Sequence, residues 1–438
     1  MTTFLPKVVV CGLGFGGLEA ALRLKSLLGD RVEVVAVDQQ SSHVFIPAIH
    51  QVVSDQFNLE KTTLSLRKVL ASNGIQFVNE PITAIRNSER VVATATQSLK
   101  YDYLVIALGS ETNYYNIPGL REHAFGFKTV NDVIAFKRHL LNLLAQYEAE
   151  TEPAARSDLF SIAVCGGGLT GVELITEIHD LFRLLRRLKG IPKEHFRLTL
   201  VEAYPRILHG HNDKVQTFVT EFLKGEGIEV VTGKRVMEAK KEEASHGSAG
   251  ASAGRGGIGA SDPPDREEVG AHRPPQMKVL RFTDGSVIKA HTLVWCGGVK
   301  PNDVILKSDL TLHRRGGIIV NTYMQSVDDH RVYAVGDCIY YSENTPDRPV
   351  TYTAHNALFE AKCAAINIAR DVKGKYRKRR YIPSLDTSLI SLGKEMTVLS
   401  HPRFMLKGRL MVWLKRLVME YYFVWRKQFH RRWFGLGT

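Results

Sequence analysis

The sequence predicts an α/β protein built on two parallel, doubly wound sheets. Three observations carry that expectation. A glycine pattern, GxGxxG, occurs at Gly12–Gly17 and again at Gly166–Gly171. Each copy follows a short apolar run and precedes a helical stretch, a second apolar run and an acidic residue. Finally, the two copies lie about 150 residues apart, far enough for each to open a separate unit. A chain of 438 residues is also long enough for two or three domains.

Bulk composition narrows the function classes. The apolar and charged fractions, 44% and 24%, are those of a folded globular protein and exclude fibrous and wholly disordered chains. A net charge of +13 points to an anionic partner: nucleic acid, an anionic membrane surface or a phosphorylated cofactor. No nucleic-acid recognition motif accompanies the basic residues, so nucleic acid is not expected. The five cysteines, Cys11, Cys165, Cys296, Cys338 and Cys363, show no CxxC and no metal-ligand spacing. A structural zinc, a disulfide framework and a redox dithiol are therefore not expected, and a reducing cytoplasmic setting fits. The N-terminus runs directly into a strand and a glycine loop, so no signal peptide is expected. No stretch reaches the roughly 20 apolar residues that a membrane span needs.

The elements follow in order. Lys7–Cys11 reads as a strand buried on both faces. In the loop after it, Gly12 makes the tight turn, Gly14 lets the backbone approach a pyrophosphate, and Gly17 lets helix and strand pack closely. Leu13, Phe15 and Gly16 complete that loop. A helix is expected from Leu18 to Leu28, whose N-terminal N–H groups and dipole favour phosphate. The strand Val32–Val37 ends at Asp38, placed to bind an adenosine ribose, with Gln39 beside it. The second copy has a strand at Ser161–Cys165, then Gly166, Gly168, Leu169, Thr170 and Gly171. A helix at Val172–Leu185, a strand at Arg197–Val201 and Glu202 follow. An acid at that position repels the 2′-phosphate of NADP, so Glu202 favours NAD(H), although Arg206 lies four residues on. Two Rossmann-type dinucleotide-binding domains are thus expected.

Resemblances assign the two nucleotides. Tyr101–Gly109, with Ala107 and Gly109, resembles the segment closing the FAD domain of two-dinucleotide flavoproteins. Leu293–Asn302, with Gly297 and Gly298, looks like the matching segment after the NAD domain. Val332–Cys338 resembles the second FAD motif, in which Gly336 and Asp337 would contact the cofactor. FAD is then expected at the first loop and NADH, as substrate, at the second. The FAD domain would comprise 1–125 and 301–385, with the NADH domain at 126–300 inserted in it and a C-terminal region at 386–438.

Four features resemble the type II NADH:quinone oxidoreductases. The stretch after Asp38, SSHVFIPAIHQVV with Phe45, is similar to that family's segment beside the flavin. Glu173, directly after the second loop, matches a family glutamate near the nicotinamide and flavin. The Gly336–Cys338 GDC matches, and the basic aromatic C-terminus stands where the family attaches to the membrane. Ile82 would correspond to a backbone contact with the FAD adenine. The resemblance implies a hydride passed from NADH to FAD and two electrons passed on to a membrane quinone without proton pumping. It also implies a peripheral enzyme on the cytoplasmic face of the cell membrane. One departure concerns the acceptor. Where the family carries Ala-Gln-x-Ala-x-Gln, this chain has Ala354, His355, Ala357 and Phe359. Ala354 and His355 are candidates for the flavin edge, and all four are candidates for a quinone site. A histidine can hydrogen-bond a quinone, but a phenylalanine can only stack on it. A soluble acceptor, or a slowly turning redox sensor at the membrane surface, therefore stays open. Glu173 is either a catalytic group or a carboxylate favoured by the first turn of its helix.

The segment Phe404–Phe434 reads as helix, with Leu410, Leu414, Leu417, Tyr421 and Trp425 on one face. Arg409, Lys415, Arg416, Arg426, Lys427, Arg431 and Arg432 occupy other positions. That mixture describes an interfacial membrane helix attracted to anionic lipid, or one covering the protein's own core or a second copy in a homodimer. The run 243–276 is too poor in large apolar residues to order itself, and is expected as a long hairpin loop between the strand-like Val230–Met237 and Met277–Thr283.

Overall fold

The computed structural model describes residues 5–54, 63–242, 276–341, 351–383 and 387–432, with side chains described as far as 423. A first five-stranded sheet runs in the order Val332–Ala334, Tyr103–Ile106, Lys7–Cys11, Glu33–Val37 and Gln76–Val78, all parallel. Val8, Val9, Val10 and Cys11 are wholly buried, because helices cover both faces. The helix Phe15–Leu28 packs along Ala354–Val372, with Gly16 against Ala357, and the buried stretches of both helices are rich in small residues such as Ala20, Ala21, Ala361, Ala364 and Ala365. Small side chains let the two backbones approach, and so fix the second helix beside the glycine loop.

A second parallel sheet has the order Ala124–Gly126, Thr292–Trp295, Ser161–Cys165, Arg197–Val201 and Glu229–Val231. All of its strands fall, in sequence, between Tyr103–Ile106 and Val332–Ala334 of the first sheet, so the second unit is an insertion in the first. Ser110–Thr112 pairs antiparallel with Val299–Pro301 and forms the two-stranded connection through which the chain leaves and returns. The fold is α/β with parallel sheets of Rossmann type, as the two glycine patterns require.

Three local expectations change. Both loop helices begin earlier than predicted, at Phe15 and Leu169, since the glycine loops themselves form the first turns. The strand-like Val230–Met237 divides: Glu229–Val231 joins the parallel sheet, while Val236–Lys241 pairs antiparallel with Lys278–Phe282. Gly233, at φ +73°, supplies the bend between them. The hairpin expected around the insertion is thereby present at its base, while 243–275 lies outside the described residues. The third change is at the C-terminus. Phe404–Gly408 is not helical; Met405–Lys407 is the edge of a three-stranded antiparallel sheet with Thr397–Ser400 and Ser388–Ser391. Gly408, at φ +118°, ends that sheet and starts the helix Arg409–Arg432. The basic run after Val372 folds back on its own helix, with Lys378 paired to Asp371 at 2.6 Å.

Candidate functional site

The two glycine loops repeat one geometry. Gly12 and Gly166 have φ of +86° and +111°, which L side chains rarely adopt. A Cβ on Gly12 would also stand 2.5 Å from the Ala107 carbonyl oxygen, and one on Gly166 would stand 2.6 Å from the Cys296 carbonyl. Gly17 and Gly171 face the carbonyls of Gly12 and Gly166 so closely that any Cβ would overlap them. Gly14 and Gly168 differ: no atom lies within 4 Å of a Cβ built on either. Both are also helix N-caps that offer no side-chain bond, whereas Thr129, Asn212 and Thr353 cap other helices with their side chains. Bare N–H groups at a helix start, open to approach, fit a pyrophosphate.

The acid at the end of each second strand ties back to its loop. Asp38 accepts from the Leu13 N–H at 2.6 Å and the Gln40 N–H at 2.7 Å. Glu202 accepts from the Gly167 N–H at 2.6 Å and the Tyr204 N–H at 2.8 Å. Burial pushes Asp38 up while the two N–H donors hold it down. Arg206 turns away from Glu202, and its guanidinium donates to Asp213 at 3.0 Å and Thr217 at 2.9 Å.

Beside the first loop, the chain gathers Gly109, Gly336, Asp337 and the start of the helix Ala354–Val372. Asp337 accepts from the Ser110 hydroxyl at 2.8 Å and from Lys128 at 3.1 Å, a lysine contributed by the inserted unit. Gly336 N–H donates to the buried Glu360, whose carboxyl burial pushes up to about 7 against that bond. Ala357 lies against Gly16 and Gly336. The rings of His355 and Phe359 meet at 4.6 Å between centroids, tilted by 42°, with Phe359 42% exposed and Lys362 over its ring. The expected pair is thus brought together at the surface end of this helix.

Glu173 is buried beneath the C-terminal helix. Its Oε1 accepts from Lys415 at 2.6 Å and from the Ser391 N–H at 3.0 Å, and Nδ1 of His50 stands 3.6 Å from its Oε2. Burial opposes ionisation, but His50, Lys415 and the Ser391 amide outweigh it and hold Glu173 below the usual carboxylate range. Burial pushes His50 down to about 4, so at neutral pH the cation facing Glu173 is Lys415. Lys415 is therefore not one of the lipid-facing basic residues expected of this helix; a buried carboxylate draws it inward.

The same helix closes over the first loop. Met419, Tyr422 and Phe423 bury themselves against Phe15, Phe45, Ala48 and Leu358. His43 Nδ1 lies 3.0 Å from the Leu13 carbonyl, which can only accept, so that nitrogen carries the proton. Nε2 then accepts from Tyr422 Oη at 2.8 Å. Phe15 and Phe45, both expected at the cofactor, are held in this aromatic cluster. Leu410, Trp413, Leu417 and Tyr421 form the opposite, exposed stripe of the helix. Side chains from 424 on, Trp425, Arg426, Lys427, Arg431 and Arg432 included, lie outside the described residues.

The pattern of the pyridine nucleotide-disulphide oxidoreductase family matches residues 6–361. The chain belongs to that family. Its members bind FAD and NAD(P)H, and this chain is an NAD(P)H-dependent flavin oxidoreductase. Among relatives, a type II NADH:quinone oxidoreductase of Staphylococcus epidermidis is 25% identical over 371 residues, 84% of this chain and 83% of the other. One from Staphylococcus aureus is 24% identical over 370 residues, again 84% and 83%. The fold matches NDH2 from Plasmodium falciparum, solved in complex with NADH, with a TM-score of 0.78, 18% identity and coverage of 98% and 96%. It also matches the sulfide:quinone oxidoreductase of Aquifex aeolicus, with a TM-score of 0.75, 18% identity and coverage of 97% and 92%.

The family name evokes a disulphide, but the described thiols are free and buried or half-buried. Burial raises Cys165, Cys338 and Cys363 to about 12, out of reach of thiolate chemistry. Cys338 sits in the first core, bonding the Val335 and Ile106 carbonyls, and packs as a small residue. Among the described residues no three His, Cys, Asp or Glu side chains gather as metal ligands, and no helix is long and apolar enough to cross a membrane. His50, Lys128, Glu177 and Glu360 were not singled out from sequence, and Lys415 only as one of the basic residues of its helix. Each lies far along the chain from its partner, and only a buried position facing an opposite charge would have marked Lys415.

Proposed function

We propose that the protein is an NADH dehydrogenase of the membrane surface that passes electrons from NADH through FAD to a membrane quinone, without pumping protons. The two-faced C-terminal helix carries this reading. One face delivers Lys415 to Glu173 and Tyr422 to the first glycine loop; the other presents Leu410, Trp413, Leu417 and Tyr421 to the outside. An apolar acceptor dissolved in a membrane would meet such a helix at the entrance to the site.

In this reading FAD lies along Gly12–Gly17, with its ribose at Asp38, its adenine near Ile82 and Asp337 on its ribityl chain. Gln39, Ala107, Gly109, Gly336, Ala354 and His355 complete its surroundings. NADH lies along Gly166–Gly171, with Glu202 on its ribose and Gly297 and Gly298 beside it. Glu202 excludes the 2′-phosphate of NADPH by charge, and Arg206 does not counter it, being engaged by Asp213. Bound FAD supplies hydride acceptance from NADH and release of two electrons. The residues exclude water and orient the partners, and the helix dipole at Thr353 and Ala354 favours negative charge at its N-terminus. Glu173 holds or releases a proton beside the acceptor, with Lys415 stabilising its ionised form. His355 offers a ring nitrogen to a quinone oxygen, while Phe359 and Ala357 give the ring an apolar bed.

A second reading, a soluble electron-transfer acceptor, is favoured by the exposed Phe359 in place of a polar side chain. Steady-state turnover of the vesicle-bound protein separates the two. NADH oxidation supported by a short-chain quinone, with NADPH at least about tenfold poorer in kcat/KM, fits the proposal; turnover only with soluble carrier proteins contradicts it.

A further inference from the structure

Five of the described non-glycine residues have a positive φ, and two of them, Tyr115 and Asn116, are consecutive, at +52° and +53°. Asparagine tolerates that region, whereas a bulky aromatic residue there is an outlier. Burial does not explain the conformation, because Tyr115 is 56% exposed. The backbone around it is nevertheless fixed. Asn113 Oδ1 accepts from the Tyr115 N–H at 2.8 Å, and the Asn113 carbonyl accepts from Trp295 Nε1 at 2.8 Å. The Asn113 N–H in turn donates to the Gly298 carbonyl at 3.1 Å. A strained residue held this firmly, with its ring left open, points to a ligand.

Tyr115 follows Ser110–Thr112, the strand of the connection through which the chain leaves the first unit. Its ring stands edge-on to Trp295, with centroids 6.4 Å apart. Its hydroxyl lies so close over Gly298 that a Cβ there would overlap it, and Gly297 lies against Gly166 at the start of the second loop. Two further pieces border the same place. Tyr204 is 53% exposed, lies flat on His209 at 4.4 Å between centroids, and donates its N–H to Glu202. The bend carrying the exposed Arg235 is tied to that turn, Lys234 N–H to the Glu202 carbonyl and Gly233 N–H to the Tyr204 carbonyl, each at 2.9 Å. Tyr204 and Arg235 are within electrostatic reach of the Tyr115 hydroxyl: burial raises it, Tyr204 raises it further and Arg235 lowers it.

We infer that Tyr115 is a further NADH-binding residue, whose ring closes over the adenine of the nucleotide opposite Tyr204. The adenine is the end concerned because Tyr204 belongs to the turn that holds Glu202, the acid at the adenosine ribose. The nicotinamide must reach the other way, toward the flavin. A ring fixed before the ligand arrives loses little freedom on stacking, which favours binding. Arg235 adds a cation suited to the diphosphate. This inference rests on NADH lying at the second glycine loop.

The test measures ADP-ribose, which has the adenosine and diphosphate but no nicotinamide, by titration calorimetry on the FAD-loaded full chain. Tyr115→Gly should raise its Kd about tenfold or more, and Tyr115→Phe by less than about threefold. Thermal unfolding separates a binding role from a structural one. Glycine adopts this φ without strain, so the midpoint of Tyr115→Gly should stay within about 2 °C of the parent. Tyr115→Asn, which also tolerates the conformation, should match it in both measurements. A Kd within about twofold of the parent overturns the inference, and so does weaker binding that comes with a lowered midpoint in both variants. Weakened NADH binding with ADP-ribose binding intact would give the ring to the nicotinamide and overturn it as well. Gly168→Ala checks the underlying reading separately: if that variant binds ADP-ribose as the parent does, the second loop is not the NADH site, whatever Tyr115 does.

Discussion

At Glu173 a buried carboxylate and a half-buried lysine meet across 242 positions of sequence. Taking away one member of such a pair leaves the other charge stranded, at a cost of about 3–5 kcal/mol. Lys415→Met should therefore lower stability at neutral pH by that order. Glu173 is held below its ordinary value, so its pairing contributes above the unfolded carboxylate range and is lost as pH falls through the lowered value. The gap between parent and Lys415→Met in thermal unfolding should accordingly close on acidification; a gap independent of pH would refute this assignment. The glycines separate two roles in the same way. Gly17→Ala has no room and should destabilise by about 1–3 kcal/mol or more. Gly14→Ala and Gly168→Ala have room, and should fold normally while filling the space of a pyrophosphate. Loss of bound FAD in the first and an NADH KM raised about tenfold in the second, read by absorbance and steady-state kinetics, would assign the loops. The opposite pattern would reverse that assignment.

The C-terminal helix shows why an element is harder to read than a residue. Its apolar positions are legible in sequence, and Leu410, Leu417 and Tyr421 do share an exposed stripe with Trp413. A second apolar face, Met411, Met419, Tyr422 and Phe423, is invisible without its partner surface, as is the inward turn of Lys415. The short strands Ser388–Ser391, Thr397–Ser400 and Met405–Lys407 also escaped the reading, because strands of three or four residues carry too little periodicity. Truncating the helix would uncover Glu173 as well as remove the proposed membrane face. Trp413→Glu with Leu417→Glu is cleaner, since both side chains are exposed and belong to none of the buried clusters. That variant should no longer float with anionic vesicles yet keep its thermal midpoint; undiminished flotation would place the anchor elsewhere.

For the whole molecule, the repeated loop made the architecture readable from sequence: glycines at fixed spacing are mechanical requirements, so a strand, a helix and an acid had to follow. The two parallel sheets bear this out. The proposed acceptor side was less legible because four distant pieces would assemble it: Ile46–Val52, the helix starting at Leu169, the helix starting at Ala354 and the C-terminal helix. What joins them is packing and one buried ion pair, neither of which has a local sequence pattern. The central claim is that these pieces pass electrons from NADH to a membrane quinone, and a double-mixing experiment addresses it most directly. Vesicle-bound, FAD-loaded protein is reduced anaerobically with one equivalent of NADH, then mixed with vesicles containing quinone while flavin absorbance is followed. The account predicts complete return of the oxidised flavin spectrum within the steady-state turnover time, with one quinol formed per flavin. Flavin that stays reduced in the presence of quinone, and reoxidises only on addition of a soluble electron carrier, would contradict it.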